Sequence, residues 1–179
     1  PILPEHPTRL IAAGDYNKGP IILGTNAREF GLFQSVGQAA RVSSVAELNK
    51  VLDEMLGPLT QLVLLPYDTS SDQTANDTYV QLMTDLLFRC PVRALARSTS
   101  AEGTRAYLYH FEEGLAYHVY ELPYVLGIPN AMFGAPTLAE PLRTFVQTSL
   151  ANFVRTGNPN APGGRAPWPV YTRASDQHV

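Results

Sequence analysis

Two short apolar runs stand far apart in the chain, Pro20-Ile21-Ile22-Leu23-Gly24-Thr25 and Ala106-Tyr107-Leu108-Tyr109-His110-Phe111. The first, ended by glycine, has the pattern of a strand buried on both faces of a parallel sheet. The second, rich in aromatics and bounded by Gly103 and Gly114, reads as another strand. Between them the period changes. Leu48, Val51, Leu52, Met55 and Leu56 recur at helical spacing behind Ser44-Val45-Ala46-Glu47, a capping box, and Gly57-Pro58 stops the helix. Tyr79, Leu82, Met83, Leu86, Leu87 and Cys90 line one face of a second helix, broken or bent at Pro91. The intervening stretch from Leu59 to Asp77, with Pro66 and Thr69-Ser70-Ser71-Asp72-Gln73, reads as a loop. After the second strand, Thr137-Leu138-Ala139-Glu140 reads as a further capping box. Leu138, Leu142, Phe145, Leu150 and Phe153 give a long helix its apolar face, and Asn158-Pro159-Asn160 with the glycine-rich stretch after it ends the helix. Trp168-Pro169-Val170-Tyr171 would add a short edge strand, where proline is tolerated.

Strands alternating with helices predict an α/β architecture with a mostly parallel sheet flanked by helices. The 179 residues, 45% of them apolar, suit one domain with a sizeable core, and neither an internal repeat nor a shift in composition marks a second. Fifteen prolines and thirteen glycines imply long connections, which is where chemistry tends to sit. A net charge of -3 without a run of lysine or arginine argues against nucleic acid or an anionic membrane as partner and favours a small substrate. No apolar run approaches the roughly 18 residues of a membrane span. Cys90 is the only cysteine, so an intrachain disulfide, a thiolate zinc site and a CxxC motif are excluded, and it is expected as a small buried hydrophobe. Asn76-Asp77-Thr78 is a glycosylation triplet of the kind that also arises by chance.

The candidate chemistry lies just past the two strands. Glu29 follows the first, and His118 follows the second. Ligand and catalytic groups of open α/β sheets gather at the carboxyl ends of strands. An imidazole that shuttles protons near neutral pH needs a carboxylate to hold its tautomer and stabilise the imidazolium. The order strand, acid, helices, strand, histidine is the back half of a hydrolase plan whose triad runs Ser, Asp or Glu, His. A nucleophile is not evident: Gln34-Ser35-Val36-Gly37 is the nearest fragment to an elbow, yet Phe33 stands where the tight turn needs its first glycine, and Ser35 falls in the wrong order. His6, His110 and His178 read as structural or solvated, and Glu121 and Asp85 as holders of buried hydrogen bonds.

Four segments carry a family resemblance. Leu10-Ile11-Ala12-Ala13-Gly14 with the first strand, Asn26 and Glu29 resembles the acid-bearing segment of the type-B carboxylesterases, which include the cholinesterases. Leu86 through Ala96 is similar to that family's long helix. His118-Val119-Tyr120-Glu121-Leu122-Pro123-Tyr124-Val125-Leu126-Gly127 resembles its histidine motif, and Ala151 through Asn160 with Trp168-Pro169-Val170-Tyr171 its C-terminal signature. The resemblance implies that residues 1–179 form the C-terminal portion of a single α/β-hydrolase domain, incomplete without an N-terminal portion. It implies a serine-dependent ester hydrolase acting on a small-molecule ester, with Glu29 as acid, His118 as base, and neither cofactor nor metal. The serine and the oxyanion hole would lie on the N-terminal portion of the same enzyme. A non-catalytic adhesion or scaffold relative is the alternative. Val119 stands where the family usually has glycine, and Phe30 where a glycine commonly follows the acid; both departures bear on substrate range.

Overall fold

The computed structural model describes residues 4–129, 137–160 and 167–179. The order of elements is α1 (Pro7–Ala12), β1 (Ile21–Asn26), α2 (Gly31–Ser35), α3 (Val45–Leu56), α4 (Thr60–Leu64), α5 (Asp72–Thr84), α6 (Cys90–Ala101), β2 (Ala106–Phe111), α7 (Leu122–Leu126) and α8 (Glu140–Thr156). A 3-10 turn at Gly57–Leu59 joins α3 to α4, and a π turn at Asp85–Arg89 joins α5 to α6. Both expected strands form, and they pair in parallel from Ile21 opposite Ala106 to Asn26 opposite Phe111. Parallel neighbours require a long crossover, here the helices between them.

Alternation along β2 covers both faces of the pair. Ala106 and Leu108 pack with Ile21, Leu23, Val92 and Ala96 on the α6 side. Tyr109 and Phe111 pack with Tyr124, Leu142 and Val146 of α7 and α8, and Tyr107 meets Phe153 of α8 edge to face. Gly24 sits opposite Tyr109 in the ladder, and a Cβ there would come within 2.1 Å of the tyrosine ring. The ring therefore takes the room that glycine leaves. A separate core joins Phe30 and Val42 to Leu48, Leu52, Leu64, Val80, Leu82 and Met83.

Several expectations need correction. The first four residues of β1 are only half-buried, so the strand is not covered on both faces throughout. The expected loop between residues 59 and 77 contains α4 and the start of α5. The second helix does not break at Pro91. It passes through the π turn, in which the Cys90 N–H bonds the Asp85 carbonyl, and this wider turn accommodates a proline that cannot donate. The extra residue slips the helical phase. Leu87 and Cys90, placed in the apolar stripe by regular spacing, therefore face outward, and the thiol is exposed rather than buried.

Capping follows the sequence at one helix and not at the other. The Ser44 hydroxyl accepts the Glu47 N–H at 3.1 Å, while the Glu47 carboxylate turns back to Ser43 instead of Ser44. At α8, Thr137 is not the cap. The helix starts at Glu140 behind Ala139, with Pro141 in its first turn. Trp168–Tyr171 forms no strand, because Pro167 and Pro169 supply no donors; Tyr171 alone donates to Ala106 at 2.8 Å. The tail still covers the outer edge of β2: the Trp168 indole and the Val179 N–H donate to Leu108, and His110 donates to Val179. The glycine-rich stretch at 161–166 lies outside the described residues. Among the described residues no helix is long and apolar enough to cross a membrane.

Candidate active site

The pairing of β1 and β2 continues past their ends and brings two loops together. Ala27 donates to Phe111 at 2.9 Å and Arg28 to Ala116 at 2.9 Å, and Arg28 and Tyr117 form an isolated parallel bridge. Glu29 and His118 are the next residues on either side. Oε2 of Glu29 lies 2.7 Å from Nδ1 of His118. The second carboxylate oxygen, Oε1, accepts the Asn26 N–H at 2.7 Å, so both oxygens are engaged. The Glu29 side chain is 7% exposed and that of His118 is 40% exposed. With Nδ1 donating to the carboxylate, Nε2 is the basic nitrogen of the imidazole.

Aromatic rings flank that imidazole. Phe33 of α2 stacks on it with centroids 5.8 Å apart, and Phe88 of the π turn lies tilted at 5.3 Å. The extra residue that turns Cys90 outward thus belongs to the same turn that presents Phe88 to the histidine. Gly31, at the start of α2, makes room for Tyr117, since a Cβ would sit 2.4 Å from its ring. Phe30, which follows the acid, points away into the helical core, packing edge to face on Tyr79.

Asn26 is the member of this site that reading the sequence missed. It is 1% exposed, and its amide donates to the Tyr117 carbonyl at 2.7 Å and to Oε2 of Glu121 at 2.5 Å. The signal was a polar pair, Thr25 and Asn26, closing a strand that is apolar up to Gly24. Glu121 and Asp85 do hold hydrogen bonds, the latter from the Tyr67 hydroxyl at 2.8 Å. Burial beside Glu121 and Glu29 raises the Tyr109 phenol well above its ordinary range, so it stays neutral.

The remaining candidates stay apart from the pair. The Ser35 hydroxyl donates to the Leu32 carbonyl at 2.7 Å within its own helix. His6 caps α1, accepting the Thr8 N–H at 3.3 Å, while His110 meets Thr25 and packs edge to face on His178. Asn76 of the glycosylation triplet is half-buried within α5, and its amide is engaged with Gln34. Among the described residues no group of three His, Cys, Asp or Glu could hold a metal ion. The assembled chemistry is a carboxylate-oriented imidazole at the carboxyl ends of two parallel strands.

Comparison with known proteins identifies the family and the fold. A family model described as the carboxylesterase family matches residues 1–179. Liver carboxylesterase of Sus scrofa is 26% identical over 95% of this chain and 34% of its own length. Cocaine esterase of Homo sapiens is 28% identical over 94% of this chain and 34% of its own length. Para-nitrobenzyl esterase of Bacillus subtilis (strain 168) is 29% identical over 94% and 35%. Among solved structures, a PNB esterase superposes with a TM-score of 0.68 and 28% identity, over 94% of this chain and 36% of the other. The fold is that of part of an α/β-hydrolase, and the chain spans about a third of the length of these curated relatives.

Proposed function

The chain belongs to the carboxylesterase family, and from that premise we propose that it is the C-terminal portion of a serine-dependent carboxylic ester hydrolase in which Glu29 is the acid and His118 the base. The nucleophilic serine and the oxyanion donors belong to an N-terminal portion that completes the domain. One observation carries the reading: the 2.7 Å contact from the buried Glu29 carboxylate to the half-exposed His118 imidazole. A matched length of about a third of the relatives supports the placement of the serine elsewhere, as does β1, which among the described residues pairs only with β2.

The chemistry is acyl transfer. Nε2 of His118 takes the proton of the serine hydroxyl as its oxygen attacks the ester carbonyl, then returns that proton to the departing alcohol. Glu29 fixes the Nδ1–H tautomer and stabilises the imidazolium that forms between these steps. Water then attacks the acyl-enzyme through the same cycle, releasing the carboxylic acid and restoring the serine. Family membership is equally compatible with an adhesion or scaffold domain, but the intact acid–base contact favours the enzyme. The test is turnover of p-nitrophenyl esters by the complete polypeptide and its His118→Gln variant. Hydrolysis that falls by at least about 10³-fold in the variant supports the reading, and an inactive parent or an unchanged variant contradicts it.

A further inference from the structure

The segment bearing His118 is held in a backbone shape that its own residues disfavour. Val119, directly after the histidine, has φ 65°, and Ala116, two residues before it, has φ 46°. For a β-branched residue the left-handed region is strained, and such a conformation persists only where surrounding contacts impose it. Asn26 supplies contacts on both sides of the imidazole. Its Nδ2 donates to the carbonyl of Tyr117, one residue before, at 2.7 Å and to Oε2 of Glu121, three residues after, at 2.5 Å. The main-chain N–H of the same residue donates to Oε1 of Glu29 at 2.7 Å. The amide is almost wholly buried. A buried donor that meets a carboxylate makes a strong bond, and removing it leaves two acceptors without that partner.

We infer that Asn26 is a positioning residue for His118: its side-chain amide holds the strained turn at 116–121 so that the imidazole stays in line with Glu29. It touches no reacting atom. The inference rests on the acid and base roles proposed above and adds the group that sets their geometry. A glycine at 119 would adopt this φ without penalty. With valine there, the turn depends on the clamp.

The test uses the complete polypeptide as parent, Asn26→Leu and Asn26→Asp, each with and without Val119→Gly. The direct readout is the downfield proton resonance of the His118 Nδ1–H, which reports an N–H held on a carboxylate and needs no turnover. The parent shows it; both Asn26 variants broaden or lose it, and Val119→Gly restores it in each. In p-nitrophenyl ester hydrolysis kcat falls at least tenfold with KM within twofold, and Val119→Gly recovers at least threefold of the loss. Asn26→Asp keeps the shape of the side chain and decides the matter where Asn26→Leu does not fold. A folded Asn26 variant with a sharp resonance and kcat within twofold of the parent overturns the inference, and so does a loss that Val119→Gly leaves unchanged. A parent without ester turnover overturns the acid and base roles instead, while the resonance still decides the clamp.

Discussion

Glu29 and His118 are 89 positions apart in the chain, yet Oε2 of one lies 2.7 Å from Nδ1 of the other. The cause is topological. Two neighbouring parallel strands end side by side, and the pairing that follows them, from Ala27 to Phe111 and from Arg28 to Ala116, leaves the next residues of the two loops in contact.

Glu29→Gln in the complete polypeptide keeps the shape of the side chain and removes the charge that fixes the imidazole. By analogy with the triad acid of serine proteases, kcat falls by about 10⁴. Steady-state hydrolysis of a chromogenic ester checks this, and a loss below tenfold shows that Glu29 is not the orienting acid.

Gly24→Ala forces a methyl group into the Tyr109 ring, 2.1 Å from where its Cβ would stand. The pair then repacks or the strands part, a loss of about 1–3 kcal/mol typical of overpacking. Denaturant unfolding measures it, and an unchanged midpoint would show that the ring moves aside freely.

Leu52 is fully buried in the helical core with Leu48 and Leu82. Leu52→Ala removes buried methyl groups and leaves a cavity, at a cost of about 2–5 kcal/mol. The stability loss is expected with the Glu29–His118 contact intact, so kcat below the melting range stays within twofold of the parent.

His110 predicts a pH dependence of stability. Burial, with Arg89 and His178 nearby, holds its pKa below the ordinary 6.5, against the opposite pull of Glu112 and Asp85. The unfolded chain therefore takes up the proton first. The contribution is complete above pH 6.5 and declines as pH falls through 6.5 toward the folded value. Urea unfolding across that window should show a shallower slope in His110→Gln than in the parent; equal slopes contradict the assignment.

Both strands were legible as short apolar runs, and α3 as a run at helical spacing. Glu29 and His118 stood out because each follows a strand within a segment that resembles the type-B carboxylesterases, since position after a strand alone does not single out either residue. What the pattern could not reveal depends on contacts between distant segments or on a break in period. The π turn before Pro91 shifts the helical phase, so a count by regular spacing put Cys90 on the wrong face and gave no sign that Phe88 meets His118. Asn26 reads as an ordinary strand end until β2 and its following loop are beside it. Thr137 looked like a cap because the motif is local, whereas Pro141 sets where α8 begins.

A fluorophosphonate probe followed by peptide mass spectrometry of the complete polypeptide bears most directly on the proposed division of labour. One serine adduct is predicted, on a residue outside positions 1–179, and its formation is abolished in His118→Gln. An adduct on Ser35, or labelling that His118→Gln leaves untouched, would contradict the account.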